Sequence, residues 1–189
     1  MDTRSVLVET TAELLWERGY TATSPKLIQS RASVGQGSMY HHFAGKADLA
    51  AAAMLHSAQS MRAAAEAVLS GGGSAVARID AFLDMEREPL AGCRMGRLVQ
   101  DPDVTEQPML RAPAAEFFTW LLGRLTEVLA EAVGQGELRA DCDLEATAAL
   151  LVAAVQGGYV LSRALADPLI FRQAAGGAKQ AIAALRVTP

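Results

Sequence analysis

Apolar residues recur along this chain at intervals of three and four, the period of a helix that buries one side. Val6, Leu7, Thr10, Leu14 and Leu15 form the first such stripe, with Glu9, Glu13 and Glu17 aligned on another side, and Gly19 supplies a terminator. The pattern predicts a helix over residues 2–18. A longer one follows over 46–70, with Leu49, Ala53, Leu55 or His56, Ser60, Ala64 and Val68 as its packed side, broken by Gly71-Gly72-Gly73-Ser74. Beyond the break, helices are expected over 74–88, ended by Pro89, over 92–100, and over 111–133, the last ended by Gly134-Gln135-Gly136. Asp101-Pro102-Asp103 and Gln107-Pro108 punctuate a loop between them. Two final helices are expected over 144–166, capped by Asp143, and over 168–186, with Pro168 near its start.

Between the first and second long stripes the pattern changes. Ser24 followed by Pro25 marks a helix start, because a hydroxyl accepts an exposed backbone N–H and proline lacks only a donor that has no partner there. Leu27, Ile28 and Ala32 give this short helix its apolar side. Ser33 to Gly35 reads as a tight turn, and residues 36–43 as a second short helix in which Met39 and Phe43, four apart, pin it to a core. Gln36, Ser38, Tyr40, His41 and His42 are left as hydrogen-bonding residues on its outside, with Gly37 a place of close approach. Two short helices joined by a three-residue break outline a helix-turn-helix. In that motif Gln36, Ser38 and His41 are candidates for base edges, and Tyr40 and His42 for phosphates or packing. Lys46, at a helix start, is a phosphate anchor helped by the N–H groups beside it. Ser24 and Lys26, at the start of the first motif helix, complete the candidate DNA contacts.

The run Trp16-Glu17-Arg18-Gly19-Tyr20, then Thr23-Ser24, Ile28, Val34, Gly37, Met39-Tyr40-His41-His42-Phe43 and Gly45-Lys46-Ala47-Asp48-Leu49 resembles the DNA-binding domain of TetR-family transcriptional regulators. The resemblance covers about the first fifty residues; the remainder is similar only in layout. It implies a DNA-binding domain over 1–46 and an effector-binding and dimerisation domain over 47–189. The helix over 46–70 becomes the connection through which a tilt moves the motif. Two positions depart from the family pattern. Ser33 and Gly35 stand where a glycine and then a serine are common, which puts strain on the left-handed turn position and leaves the start of the second motif helix to Ser33 or the Gly35 backbone. Gln29 replaces a common alanine, and its length suits an outward position.

Composition narrows the class. Hydrophobic residues are 51% and aromatics 5% of 189 residues, and the alanine-rich, proline-poor stretches favour an all-α fold, which the resemblance orders as a three-helix DNA-binding domain followed by a helical bundle. A formal net charge of −4 argues against a nucleic-acid binder, but the distribution does not. Residues 1–46 carry +1 and residues 47–189 carry −5, and from Tyr20 to Ala47 there are three fixed cations, Lys26, Arg31 and Lys46, with no Asp or Glu. That local field suits a polyphosphate. Two cysteines, Cys93 and Cys142, share no metal-ligand spacing, and a reducing compartment is the simplest reading. No leader pattern and no uninterrupted apolar run of the roughly 20 residues needed to span a bilayer is found, so a cytoplasmic location is expected. No enzyme is expected: there is no nucleophile with a base and orienting acid, the three glycines follow a helix and not a strand, and the adjacent His41 and His42 point about 100° apart with no carboxylate at helical spacing. No cofactor is expected either. Cys93, between Gly92 and Arg94, would favour a thiolate if exposed and is otherwise a small buried hydrophobe.

The partners expected are a double-stranded operator, a second copy of the chain and a small, mostly apolar effector. Phe82, Met85, Met95, Phe117, Phe118, Leu121 and Tyr159 are candidates to line the effector cavity that the resemblance implies. The small and apolar faces of the last two helices, with Leu151, Val155, Gly158, Phe171, Ala174, Ala178 and Ile182, are expected to form a four-helix interface with a symmetry mate. The competing reading is a helical small-molecule-binding or scaffold protein that does not bind an operator.

Overall fold

A computed structural model describes residues 2–187. Ten helices follow in order: α1 (Thr3–Arg18), α2 (Pro25–Ala32), α3 (Gln36–His42), α4 (Lys46–Leu69), α5 (Ala75–Asp84), α6 (Arg94–Leu98), α7 (Pro102–Thr105), α8 (Pro108–Gly134), α9 (Leu144–Leu165) and α10 (Leu169–Ala184). Among the described residues there is no strand, only a single antiparallel bridge between Leu138 and Arg186. The fold is therefore all-α. It divides into two compact units, one of residues up to Met61 with Cys93–Phe117, the other of Arg62–Gly92 with Phe118 onward. α4 and α8 contribute residues to both.

In the first unit, the Asp2 carboxylate caps α1 by accepting from the Ser5 N–H at 2.7 Å, and these hydrogen bonds hold its pKa below the ordinary value. Leu7, Val8 and Leu14 of α1 meet Ile28 and Ala32 of α2, Met39 and Phe43 at α3, and Leu49 of α4 in one apolar cluster. Thr23, fully buried, closes the corner between α1 and α2 by donating to the Gly19 carbonyl at 2.7 Å and reaching the Leu14 carbonyl at 3.3 Å.

α4 keeps its expected bounds to within a residue, but not its expected register. Its buried side is Leu49, Ala50, Ala53, Met54, Ser57, Ala58, Ala65 and Leu69, whereas Leu55, His56, Ser60 and Ala64 are exposed. Leu55 and His56 line an open groove with Arg4, Ser5 and Gln59.

In the second unit α5 is shorter than its apolar pattern predicts and stops at Asp84. The Arg87 guanidinium takes over the end of the helix, donating to the carbonyls of Phe82, Leu83 and Met85. At its other end the Ser74 hydroxyl and the Glu137 carboxylate both cap α5, the latter accepting from the Ala75 and Val76 N–H groups at 3.0 and 3.3 Å. Two further bounds differ from expectation. The segment read as a loop contains α7, started by Asp101 accepting from Asp103 N–H at 3.0 Å with Pro102 in the first turn. α8 begins at Pro108 and runs through Pro113, which supplies no N–H to the helix.

α9 and α10 form a closely packed pair. A Cβ on Gly158 would lie 3.1 Å from Phe171 and 3.2 Å from Ala174, so any side chain here would push α10 back by a few tenths of an ångström. Leu151, Val155, Gly158, Phe171, Ala178 and Ile182 are buried and Ala174 half-buried within the chain itself. Within one chain these residues therefore pack α9 on α10, since small residues announce close approach without saying to which helix.

Candidate nucleic-acid interface

Ser24 starts α2 as expected, its hydroxyl accepting from the Leu27 N–H at 3.2 Å. At the other end Ser33 adopts φ 54°, ψ 39°, and the Val34 N–H returns to the Gln29 carbonyl at 3.0 Å. A serine thus occupies the left-handed terminator that glycine takes most easily. Gly35 is the N-cap of α3 with ordinary extended dihedrals; its carbonyl accepts from Ser38 and Met39 N–H, and no side chain caps the helix. Recognition-helix capping therefore rests on the Gly35 backbone.

α3 is pinned by Met39, fully buried, and by Phe43 just beyond it. Gln36, Tyr40, His41 and His42 are exposed and Ser38 half-buried, so the polar residues lie outward from the pinned side. Gly35 and Gly37 have open space where a side chain would begin. The His41 and His42 rings meet edge to face at 5.0 Å. Gln29 does not face outward as its length suggested: its amide reaches Met39 Sδ at 3.4 Å and props the recognition helix from α2.

The cations are not equivalent. Lys26 is exposed. Arg31 pairs with Glu17 at 3.3 Å, but both are well exposed, so solvent screens the pair and holds it only weakly. The Lys46 ammonium lies 4.0 Å over the Tyr20 ring. Burial lowers the Lys46 pKa, with Asp103 and Asp101 opposing that effect. Arg4, which the sequence reading did not single out, places its guanidinium 5.4 Å over the Phe43 ring and adds a cation next to α3. Its spacing from Phe43, 39 positions, carries no local signal.

Acids also enter from far along the chain. Asp101 and Asp103 reach Thr21, so the acid-free character of residues 20–47 holds along the chain and not in space.

The other candidates are placed as follows. Phe82 and Leu121 are buried and Met85, Phe118 and Tyr159 half-buried in the second unit, while Met95 and Phe117 are buried in the first. The Tyr159 ring packs on Phe171 at 4.8 Å. Cys93 is buried and its Sγ accepts from the Gly96 N–H at 3.2 Å, a helix cap. With the expected interface residues turned inward, the outer face of α9 carries Leu150, Ala153, Leu161, Ala164 and Leu165, all exposed. This face is why α9, at 22 residues and a mean hydropathy of 1.5, is long and apolar enough to cross a membrane with only 33% of its apolar window buried.

A short helix pinned from behind, with its polar side chains outward and cations beside it, defines a helix-turn-helix DNA-binding regulator. Residues 7–53 match the model of bacterial regulatory proteins of the tetR family, and residues 75–177 match a tetracyclin repressor-like C-terminal domain. The chain belongs to the TetR family of transcriptional regulators. It is 32% identical over 149 residues to the transcriptional regulator AcuR of Cereibacter sphaeroides, covering 75% of this chain and 68% of that protein. The crystal structure of a TetR-family regulator from Cytophaga hutchinsonii has the same fold, with a TM-score of 0.89, 21% identity, and 99% and 96% of the two chains covered. A TetR regulator from Chloroflexus aurantiacus superposes with a TM-score of 0.88 at 27% identity, covering 98% and 97%. Members of this family are DNA-binding regulators and not enzymes.

Proposed function

We propose that the chain is a homodimeric, ligand-responsive repressor of the cytoplasm, released from a two-fold operator by a small, mostly apolar effector. Residues 1–46 read DNA, and residues 47–189 hold the effector and the second copy. The observation that carries this reading is α3, held by Met39 and Phe43 with Gln36, Tyr40, His41 and His42 outward. Gln36, Ser38 and His41 meet base edges, while Ser24, Lys26, Tyr40, His42 and Lys46 meet phosphates. In a dimer the two α3 helices enter successive major grooves, about 34 Å apart or a little more.

The effector is held within the second unit, among Phe82, Met85, Phe118, Leu121 and Tyr159, where methionine suits apolar molecules of varied shape. It acts by binding one arrangement of α4 better than the other; a molecule bound equally by both has no effect. The second copy docks on the exposed stripe of α9, with Leu150, Ala153, Leu161 and Leu165.

A mobility shift with the duplex upstream of the chain's own coding region tests the reading. A shift at low salt, weakened at least ten-fold by Tyr40→Ala or Lys46→Ala, is expected. Absence of a shift, or one indifferent to both changes, defeats it.

A further inference from the structure

Thr21 and Asp101 are eighty positions apart, and the first unit brings them into contact. The Thr21 hydroxyl lies 3.1 Å from Asp101 Oδ2 and 3.1 Å from Asp103 Oδ2, and the Thr21 N–H donates to Asp101 Oδ2 at 3.3 Å. The hydroxyl has one proton to share between two carboxylates, and the other donors to this pair, the Thr21 and Asp103 N–H groups, both go to Asp101. Their natural counter-charge is close by. Tyr20, the residue before Thr21, carries the Lys46 ammonium over its ring at 4.0 Å, and its own hydroxyl is hydrogen-bonded by Gln107.

The segment that brings these acids is fastened to α1. Arg94 lies 3.8 Å over the Trp16 ring and pairs with Glu13 at 2.9 Å, and Arg97 donates to the Trp16 carbonyl.

We propose that Asp101 and Asp103 form a built-in competitor for the DNA phosphate at Lys46, tethered through Thr21, and so set how tightly the recognition surface holds duplex. The inference rests on the DNA-binding reading above and adds the regulation of that same site. A phosphodiester carries the same kind of charge as a carboxylate, and one approaching Lys46 meets two fixed anions already sharing its field. The Tyr20 ring covers one side of the ammonium, which narrows the directions left to a phosphate. A displacement of residues 93–107 that carries the acids toward or away from Lys46 therefore changes affinity for any sequence, leaving base preference alone.

The test uses the full chain and two labelled duplexes, its own upstream region and an unrelated sequence, across a salt series. Asp101→Asn with Asp103→Asn removes both charges and keeps oxygens that accept from Thr21. Binding is expected to tighten about five-fold on both duplexes at low salt, less as salt rises, with the gain abolished in a Lys46→Met background. Thr21→Val, which keeps the charges and the N–H bond to Asp101 but removes the hydroxyl's bonds, is expected to give a smaller gain. Unchanged affinity in the double variant, or a gain that survives Lys46→Met, overturns the proposal. Retention of neither duplex by either protein overturns the DNA-binding reading together with it, whereas retention by the double variant alone supports both.

Discussion

Ser33 and Ala166 are the two residues with side chains that take a left-handed backbone among the described residues, at φ 54° and 52°, and each sits just past the end of a helix. A Cβ in that region costs about 1–2 kcal/mol, so Ser33→Gly is expected to stabilise the chain by about 1 kcal/mol, read as a higher urea midpoint. Ser33 was legible as the place of departure because turn chemistry is local. The same locality made Ser24, Asp143 and the Met39–Phe43 pair readable. Gly158 shows the opposite case: its smallness is visible in the sequence, but its neighbour Phe171 is not. Gly158→Val drives a branched side chain into Phe171 and is expected to cost about 2–3 kcal/mol of bundle stability, with thermal unfolding as the measure.

α4 illustrates what a helical pattern leaves open. Alanine at residues 50–53 and 63–65 makes several stripes equally apolar, so the real register is chosen by Met54 and Leu69 and by what they pack against. The end of α4 is fixed by partners no period announces. Arg78 donates to the Leu69 carbonyl at 2.9 Å and to Glu131, while Arg124 reaches Leu69 at 3.4 Å, Glu66 at 3.2 Å and Ser70 at 3.0 Å. The Arg78 hydrogen bond holds the Glu131 pKa below its ordinary 4.5, and the Ser70 hydrogen bond, with Arg124, does the same for Glu66. A depressed carboxylate stabilises the folded state above its ordinary pKa and loses that contribution as pH falls through the folded value. The second unit is therefore expected to weaken as pH drops below about 4.5. Glu131→Gln should make it less stable near neutral pH and flatten that acid limb, followed by circular dichroism. An acid limb as steep as wild type would contradict the assignment.

At the scale of the molecule, the sequence disclosed a DNA-reading end and a helical body, because the motif compresses into about fifty residues. It did not disclose which face of α9 is free, nor that Asp101 and Asp103 travel eighty positions to meet Thr21, since neither follows from spacing. The free face gives a further expectation. Leu161→Glu with Leu165→Glu places charges on the exposed stripe and should yield a folded monomer by sedimentation. Its affinity for the two-fold operator should fall by at least ten-fold, because each half-site must then be bound alone. A dimer that survives the double change would move the association surface elsewhere.

Glu137 joins three stretches of chain at once: its carboxylate holds the first amides of α5, its backbone carbonyl accepts from Val187, and Leu138 beside it bridges to Arg186. Neutralising it releases the first amides of α5 and loosens the glycine run at 71–73, while the backbone contacts to Val187 and Arg186 remain. A protease of broad specificity would then find a new cutting place at the glycines, more than sixty positions from the residue that had changed.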